Sequence, residues 1–160
     1  CRQTLVGGSY GLLRTGDFRP NPDFYAALLF RSVMGGVVLK IKEDPSTPEL
    51  RAYAHCSARQ DGVAMLLLNM GSSALAVEVS DAAAQRGGWL QSYEREVWVG
   101  TAADVRASSV RINGVEASGT SLPKGTVVAA GAALSLPPMS YTFLIARGAG
   151  TSVCKPSAAL

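Results

Sequence analysis

The chain is poor in the side chains that bind structural metal ions. Its 160 residues include one histidine, His55, and three cysteines, Cys1, Cys56 and Cys154, none of them in a CxxC pair. A structural zinc site needs four such ligands at suitable spacing, so the sequence argues against a metal centre. The cysteine spacing alone leaves two possibilities open: one disulfide with one cysteine left over, or three buried free thiols.

The sequence also lacks long apolar runs and concentrated charge. The apolar stretches at residues 26–30 and 63–68 fall far short of the roughly 20 residues that span a bilayer. We therefore predict no transmembrane segment, and any membrane contact would be peripheral. The formal net charge is +3, and Lys40 and Lys42 are the nearest approach to a basic cluster, so we expect no nucleic-acid partner.

Apolar residues make up 48% of the chain, enough for a core, and the first part of the chain has the pattern of a β/α unit. Residues 1–6 are typical of a strand, residues 7–22 form a loop rich in glycine and proline, and residues 23–34 carry apolar side chains at helical spacing. A parallel strand needs neighbours on both sides, and its helix must pack on a sheet. We therefore expect this unit to be the last of a larger β/α domain.

Typical start and stop residues delimit the predicted helix. Asn21-Pro22-Asp23 combines a capping residue, a proline at the first helical position and an acidic first turn. Gly35-Gly36 predicts the end of the helix. We expect Phe24, Leu28 and Phe30 to pack on a sheet.

From residue 37 onward the apolar residues recur with a period of two, which is typical of strands. The predicted strands span residues 37–42, 50–57, 63–70, 74–79, 94–99, 110–112, 127–129, 134–136 and 141–146. Asn113-Gly114 is the strongest short hairpin signal, and residues 81–86 are a candidate single helical turn. This pattern predicts an antiparallel β-sandwich.

Four stretches, in this order and spacing, resemble one known family. They are RQTLVGGSYGLL at 2–13, PNPDFY with LLF and MG within 20–35, RAYAHC at 51–56 and LPPMSYTF at 136–143. Together they are similar to the C-terminal part of heparanase and its relatives, the endo-β-glucuronidases of glycoside hydrolase family 79. The residues of these stretches are most similar to those of the plant heparanase-like proteins, and the resemblance covers almost the whole chain.

The resemblance implies an α/β plus all-β fold, in which the last strand–loop–helix unit of a TIM (β/α)8 barrel is followed by an antiparallel β-sandwich. Residues 1–35 would be barrel strand 8, its active-site loop and helix 8. Residues 36–154 would be the sandwich, and residues 155–160 a tail. The upstream barrel part of the same protein is then an expected partner.

The resemblance also implies retaining hydrolysis of β-linked glucuronic acid in a polysaccharide or proteoglycan, without a cofactor. In the family an acid/base glutamate and a nucleophilic glutamate precede the stretch that matches Arg2-Gln3, so we predict that this chain alone is inactive. The glutamates present are expected to be solvated surface residues: Glu43, Glu49, Glu78, Glu94, Glu96 and Glu116. The alternative is a non-catalytic glycan-binding or interaction module from a heparanase-like paralogue.

Four residues match family positions that line the substrate cleft: Gln3, Gly8, Ser9 and Tyr10. Gln3 can donate and accept hydrogen bonds, and Gly8 lets backbone N–H groups approach a sulfate or uronate. Tyr10 offers a flat face and a hydroxyl to a sugar. The resemblance thus predicts a sugar-binding loop after the first strand.

The resemblance further implies a disulfide between Cys56 and Cys154, with Cys1 unpaired. Such a bond would tie the end of the chain to the sandwich. It would also indicate an oxidising compartment, so we expect a secreted or a lysosome- or vacuole-like protein.

Overall fold

A computed structural model describes residues 4–7, 11–59, 62–80, 88–149 and 152–154. These residues form one long helix and ten strands, with short 3₁₀ turns at Leu90–Ser92 and Ser152–Cys154. In chain order the elements are α1 (Pro22–Val33), β1 (Met34–Leu39), β2 (Leu50–Ser57), β3 (Gly62–Asn69), β4 (Leu75–Val77), β5 (Arg95–Thr101), β6 (Arg111–Ile112), β7 (Val115–Glu116), β8 (Thr126–Val128), β9 (Leu134–Leu136) and β10 (Ser140–Arg147). The helical turn predicted at 81–86 lies outside the described residues.

The strands form two antiparallel sheets. The large sheet has the order β1-β2-β3-β10-β5-β6-β7, with β8 pairing along β5, and β4 pairs with β9 in a small second sheet. All these pairings are antiparallel, as the period-two pattern predicts. The hairpin predicted at Asn113-Gly114 is also confirmed, since it joins β6 to β7.

The large sheet is covered on both faces, so its central strands β3 and β10 are buried almost throughout. On one face Trp98 and Phe143 pack with the helix, and on the other Val97 and Leu144 pack with the small sheet. Neighbouring residues of one strand therefore enter different cores, because side chains alternate across a sheet. Burial of each such large apolar side chain contributes about 1.5–3 kcal/mol to folding.

The helix ends earlier than the glycine pair predicts. Its last residue is Val33, and Met34 already has an extended backbone with its N–H bonded to the carbonyl of Phe30. Gly35 and Gly36 do not end the helix but lie within β1. A Cβ atom at Gly35 would overlap the carbonyl of Cys56, so this glycine is needed for close strand pairing.

The most deeply buried residues of the helix are not the three that the sequence predicts to pack on the sheet. Tyr25, Leu29 and Val33 are fully enclosed against the large sheet. Phe24 is half-buried and packs against the same core, and Phe30, although 44% exposed, makes an edge contact with His55 of β2. Leu28 is half-buried, and Ala27 is exposed on the outer side of the helix. The helix is therefore apolar on its outer side as well as on the side that packs on the sheet.

Candidate functional site

The predicted substrate-binding residues Gln3, Gly8, Ser9 and Tyr10 lie outside the described residues. Their roles therefore stay a prediction. The structure does describe the backbone on either side of them, residues 4–7 and the loop that leads from Gly11 to the helix.

The residues that flank positions 8–10 meet in space. Val6 and Leu13 form a bridge, and the N–H of Leu13 donates to the carbonyl of Leu5 at 2.9 Å. A Cβ atom at Gly11 would lie 3.0 Å from the carbonyl oxygen of Gly7, so the two glycines are in close contact. Glycine at position 11 permits this approach. The residues that flank positions 8–10 on either side therefore contact each other.

Asn21 closes the loop, but not in the way the sequence predicts. It occupies the N-cap position with an extended backbone, and its side chain makes no capping bond. Instead its Nδ2 donates to the carbonyl of Gly11 at 2.7 Å, and its N–H donates to the carbonyl of Leu12 at 2.8 Å. The residue that begins the helix therefore also holds the start of the loop.

Glu94 and Glu96, two residues apart at the start of β5, are both ion-paired. Arg147 contacts Glu94 Oε1 through Nη1 at 2.9 Å and Glu96 Oε2 through Nη2 at 3.2 Å. Arg59 contacts Glu96 Oε1 at 3.3 Å and places its guanidinium 5.5 Å from the centre of the Trp98 ring. In this network both carboxylates are partners of arginine.

A shallow cleft of about 260 Å³ lies beside β1 and β2, lined among others by Val38, Glu43, Tyr53 and His55. His55 Nδ1 donates to the carbonyl of Gly35 at 2.6 Å. Glu43 accepts a bond from the N–H of Ala52 at 2.7 Å. Both polar groups thus serve the backbone around them, and the cleft carries no second carboxylate among the described residues that line it.

Arg95 is a fully buried cation with no carboxylate partner in the described part of the chain. Its guanidinium donates to the carbonyls of Leu90, Ala129 and Ala132, the last at 2.7 Å. Burial lowers the pKa of Arg95. The alternation of β5 predicts that Arg95 shares a face with Val97, and the structure confirms this. The sequence does not indicate that the buried Arg95 side chain would hydrogen-bond to two separate loops, one at Leu90 and one at residues 129–132.

The disulfide between Cys56 and Cys154 is present. Its Cα atoms are 5.1 Å apart, and it links β2 to the last described turn of the chain, 98 residues away. The pairing implied by the family resemblance is therefore confirmed. Within the described ranges no three His, Cys, Asp or Glu side chains are grouped so as to hold a metal ion. No helix among the described residues is long and apolar enough to cross a membrane.

Comparison with known proteins gives matches of two kinds, although no protein-family model matches the chain. Heparanase-like protein 1 of Arabidopsis thaliana is 54% identical over 82 residues, which is 51% of this chain and 15% of that protein. Baicalin-beta-D-glucuronidase of Scutellaria baicalensis is 54% identical over 69 residues, 43% of this chain and 13% of that protein. Hyaluronoglucuronidase of Hirudo nipponia is 24% identical over 166 residues, 96% of this chain and 33% of that protein. The chain thus spans at most about a third of the length of these relatives.

Solved structures are similar in fold. An arabinose-bound family 51 α-L-arabinofuranosidase covers 86% of this chain with a TM-score of 0.54 at 14% identity, and this chain covers 21% of it. A family 30 endoxylanase from Clostridium papyrosolvens covers 84% of this chain with a TM-score of 0.52 at 13% identity, and this chain covers 30% of it. At such identities the likeness is one of fold alone. The sequence matches, by contrast, confirm what the four motifs indicate: this chain is related to the heparanase-like family.

Proposed function

We propose that the chain is the C-terminal part of a retaining glycoside hydrolase that cleaves β-linked glucuronic acid in a polysaccharide or proteoglycan. The observation that carries the proposal is sequence similarity to one plant protein and one leech protein whose names describe glucuronidases. The plant matches reach 54% identity, and the leech match extends over 96% of the chain. No cofactor is needed for this chemistry.

The outer side of α1 supports the proposal that a barrel precedes and covers it. Ala27 is exposed there and Leu28 is half-exposed, Phe30 beside them is 44% exposed despite its contact with His55, and Arg31 is the charged residue among them. A helix that is apolar nearly all round is normally buried on all sides. In the proposed parent protein, residues 1–35 complete the barrel and the upstream barrel part packs on this side, while residues 36–154 form the sandwich and 155–160 the tail.

The catalytic carboxylates belong, in this proposal, to the upstream barrel. A retaining glycosidase needs two carboxyl groups about 5–5.5 Å apart, and barrel enzymes place them at the C-terminal ends of strands. The ion pairs of Glu94 and Glu96, and the backbone bond of Glu43, support this assignment because they leave these carboxylates in other roles. The chain by itself would then bind no substrate productively.

Gln3, Gly8, Ser9 and Tyr10 would line the sugar cleft from the last barrel strand and its loop. The contact between Gly7 and Gly11 supports this role, since it anchors both ends of the segment at one point of the framework. The disulfide supports a secreted or a lysosome- or vacuole-like location, because such bonds persist in oxidising compartments.

The test uses the parent protein with its upstream region and p-nitrophenyl β-D-glucuronide as substrate. We expect hydrolysis with retention of anomeric configuration, followed by NMR, and we expect none from residues 1–160 alone. In the parent, Tyr10→Ala should lower kcat/KM by about 10- to 100-fold, which corresponds to about 1.4–2.7 kcal/mol. Tyr53→Ala, at an exposed tyrosine on β2, is the matched control and should leave kcat/KM unchanged.

Two results would overturn parts of this proposal. Hydrolysis by residues 1–160 alone would place the catalytic groups in this chain. A parent protein that binds glucuronide polysaccharides without turnover would instead be the non-catalytic binding module.

A further inference from the structure

The side chain of Asn21 makes a hydrogen bond that the start of a helix does not need. An N-cap side chain normally accepts a bond from a backbone N–H of the first turn, and Asn21 makes no such bond. The helix begins without it, because the N–H of Phe24 donates to the backbone carbonyl of Asn21 at 3.0 Å and Pro22 has no N–H to satisfy. The amide of Asn21 is therefore free to act elsewhere.

That amide bonds to the backbone that directly follows positions 8–10. Asn21 Nδ2 donates to the carbonyl of Gly11 at 2.7 Å, across ten residues of chain, and the bond is partly buried. The N–H of Asn21 donates to the carbonyl of Leu12 at 2.8 Å, and Leu13 forms an antiparallel bridge with Pro20. Residues 11–13 are thus bonded to the two residues that lead into the helix.

The helix in turn is fixed to the rest of the fold. Tyr25, in its first turn, is buried, and its hydroxyl donates to the carbonyl of Gly119 at 3.0 Å. Leu29 and Val33 are fully enclosed in the core between the helix and the large sheet. Because the helix is held in this way, the bond from Asn21 fixes the carbonyl of Gly11 relative to the large sheet.

The backbone before positions 8–10 is held by shorter connections. Thr4 Oγ1 donates to the carbonyl of Gly7 at 3.0 Å, only three residues along the chain. The N–H of Leu13 donates to the carbonyl of Leu5 at 2.9 Å, so the strand end and the residues after position 10 are joined as well. Asn21 adds the side-chain bond that connects this arrangement to the helix.

From these contacts we infer that Asn21 is a positioning residue for the segment of residues 8–10. Its side chain transmits the position of the helix to the backbone from which Tyr10 extends. The inference rests on the proposed function, in which that segment lines the sugar cleft. Displacement of a substrate-binding group by about 1 Å can lower a rate about 100-fold, so groups that contact substrate need supporting bonds of this kind.

The test compares two variants of the parent protein in the hydrolysis of p-nitrophenyl β-D-glucuronide. Asn21→Ser is neutral and too short to reach the carbonyl of Gly11, and Asn21→Asp keeps the shape of asparagine but has no N–H to donate. Serine and aspartate are both favourable at a helix N-cap, so the helix should be retained. We expect kcat/KM to fall about tenfold in both variants. A fall in the aspartate variant alone would overturn the inference, since repulsion of the anionic substrate would explain it.

Asp17→Asn is the matched control. It lies in the same loop, is exposed, and exchanges a carboxylate for an amide, the reverse of Asn21→Asp. Its Oδ1 can still accept the N–H of Arg19, and only the surface ion pair with that residue is lost. Its kcat/KM and Tm should match those of the wild type, and a tenfold fall in kcat/KM here would overturn the specific role of Asn21.

The Tyr10→Ala background separates positioning from a general defect at the start of the helix. If Asn21 acts through the segment that carries Tyr10, the two substitutions share one effect and are not additive. Asn21→Ser should then lower kcat/KM by less than about twofold in the Tyr10→Ala protein. A tenfold fall in both backgrounds would overturn the inference, because it would assign Asn21 a role that is independent of Tyr10.

Hydrogen exchange of the parent protein separates this inference from the proposed function, because it requires no turnover. In Asn21→Ser the N–H of Leu13 should exchange about tenfold faster than in the wild type, while the N–H groups of β3 and β10 should be unchanged. Unchanged exchange at Leu13 would overturn the inference. A parent protein that does not hydrolyse the glucuronide would refute the proposed function, and the exchange would still decide whether Asn21 holds this backbone.

Discussion

Tyr141 lies directly opposite Gly100 on the antiparallel pair β10 and β5, and its ring occupies the space that a side chain at position 100 would need. The same ring makes an edge contact with Phe143, with ring centres 6.0 Å apart. Tyr141 and Phe143 belong to the stretch LPPMSYTF at 136–143, one of the four stretches that carry the family resemblance. The structure gives this motif a physical role, which is to cover a glycine in the middle of the central sheet.

Replacement of Gly100 by alanine should therefore destabilise the protein. A Cβ atom there would overlap the Tyr141 ring, and overpacking of this kind costs about 1–3 kcal/mol. Gly36→Ala is the control, because Gly36 also lies in a strand but has open space around it. Urea unfolding of the purified protein should show a lower midpoint for Gly100→Ala only, and equal losses for both variants would contradict the packing argument.

Tyr141 should also make stability depend on alkaline pH. Burial raises the pKa of Tyr141 from 10.0 to about 12, and its hydroxyl has no hydrogen-bond partner in the described structure. Since the folded protein favours the neutral phenol, this contribution is complete below pH 10 and is lost as pH rises through about 12. Its full size is about 2–3 kcal/mol.

The measurement compares the free energy of unfolding of wild type and Tyr141→Phe between pH 8 and pH 12. At pH 8 the variant should be as stable as wild type or more so, because it removes an unpaired buried hydroxyl. Toward pH 12 the wild type should lose more stability than the variant. Tyr53→Phe, at an exposed tyrosine, should follow the wild type, and identical pH curves for wild type and Tyr141→Phe would refute the prediction.

Local patterns predict much of this fold. The bounds of β2 and β9 agree with the sequence prediction residue for residue, because each strand alternates between apolar and other side chains and ends at turn residues. The Asn113-Gly114 hairpin is likewise a local signal. These features depend on periodicity and turn chemistry within a few residues, which a sequence shows directly.

Contacts between distant residues are not predictable in this way. Gly35 reads as a helix stop, yet its role is to let β1 approach the carbonyl of Cys56. The side chain of Arg14 donates to the carbonyl of Ser108, which is 94 residues away in the chain. The predicted sugar-binding residues, Gln3, Gly8, Ser9 and Tyr10, were identified only by resemblance to a family. A glutamine, a glycine pair and a tyrosine have no distinctive sequence pattern of their own.

The Cys56–Cys154 disulfide should contribute strongly to stability. Closing a loop of this separation stabilises the folded state by about 4–5 kcal/mol in the chain-entropy model, and often by less in practice. Cys154→Ser should therefore lower the free energy of unfolding by several kcal/mol, as measured by urea unfolding. Cys1→Ser should leave it unchanged, since Cys1 is predicted to be unpaired. Alkylation of the denatured, non-reduced protein should label one cysteine, and labelling of all three would contradict the pairing.

Asn113 should be the most sensitive polar residue of the β6–β7 hairpin. Its Oδ1 accepts the N–H of Val99 at 2.7 Å, and its Nδ2 donates to the carbonyl of Val97 at 2.9 Å. The side chain thereby continues the hydrogen bonding of β5 past the end of β6. Its φ of +52° is the left-handed value that an Asn-Gly turn requires, with Gly114 at +80°.

Two substitutions at position 113 separate these contributions. Asn113→Gly keeps the backbone relaxed and loses the two bonds to β5 together with a longer one, at 3.4 Å, from Nδ2 to the carbonyl of Lys124, so it should cost about 2 kcal/mol. Asn113→Ala loses the same bonds and also forces a Cβ-bearing residue without a polar side chain into the left-handed region, which should cost about 1 kcal/mol more. Urea unfolding of both variants gives the two terms directly. If alanine and glycine were equally destabilising, the backbone would contribute nothing, and if glycine were neutral, the bonds to β5 would not stabilise the sheet.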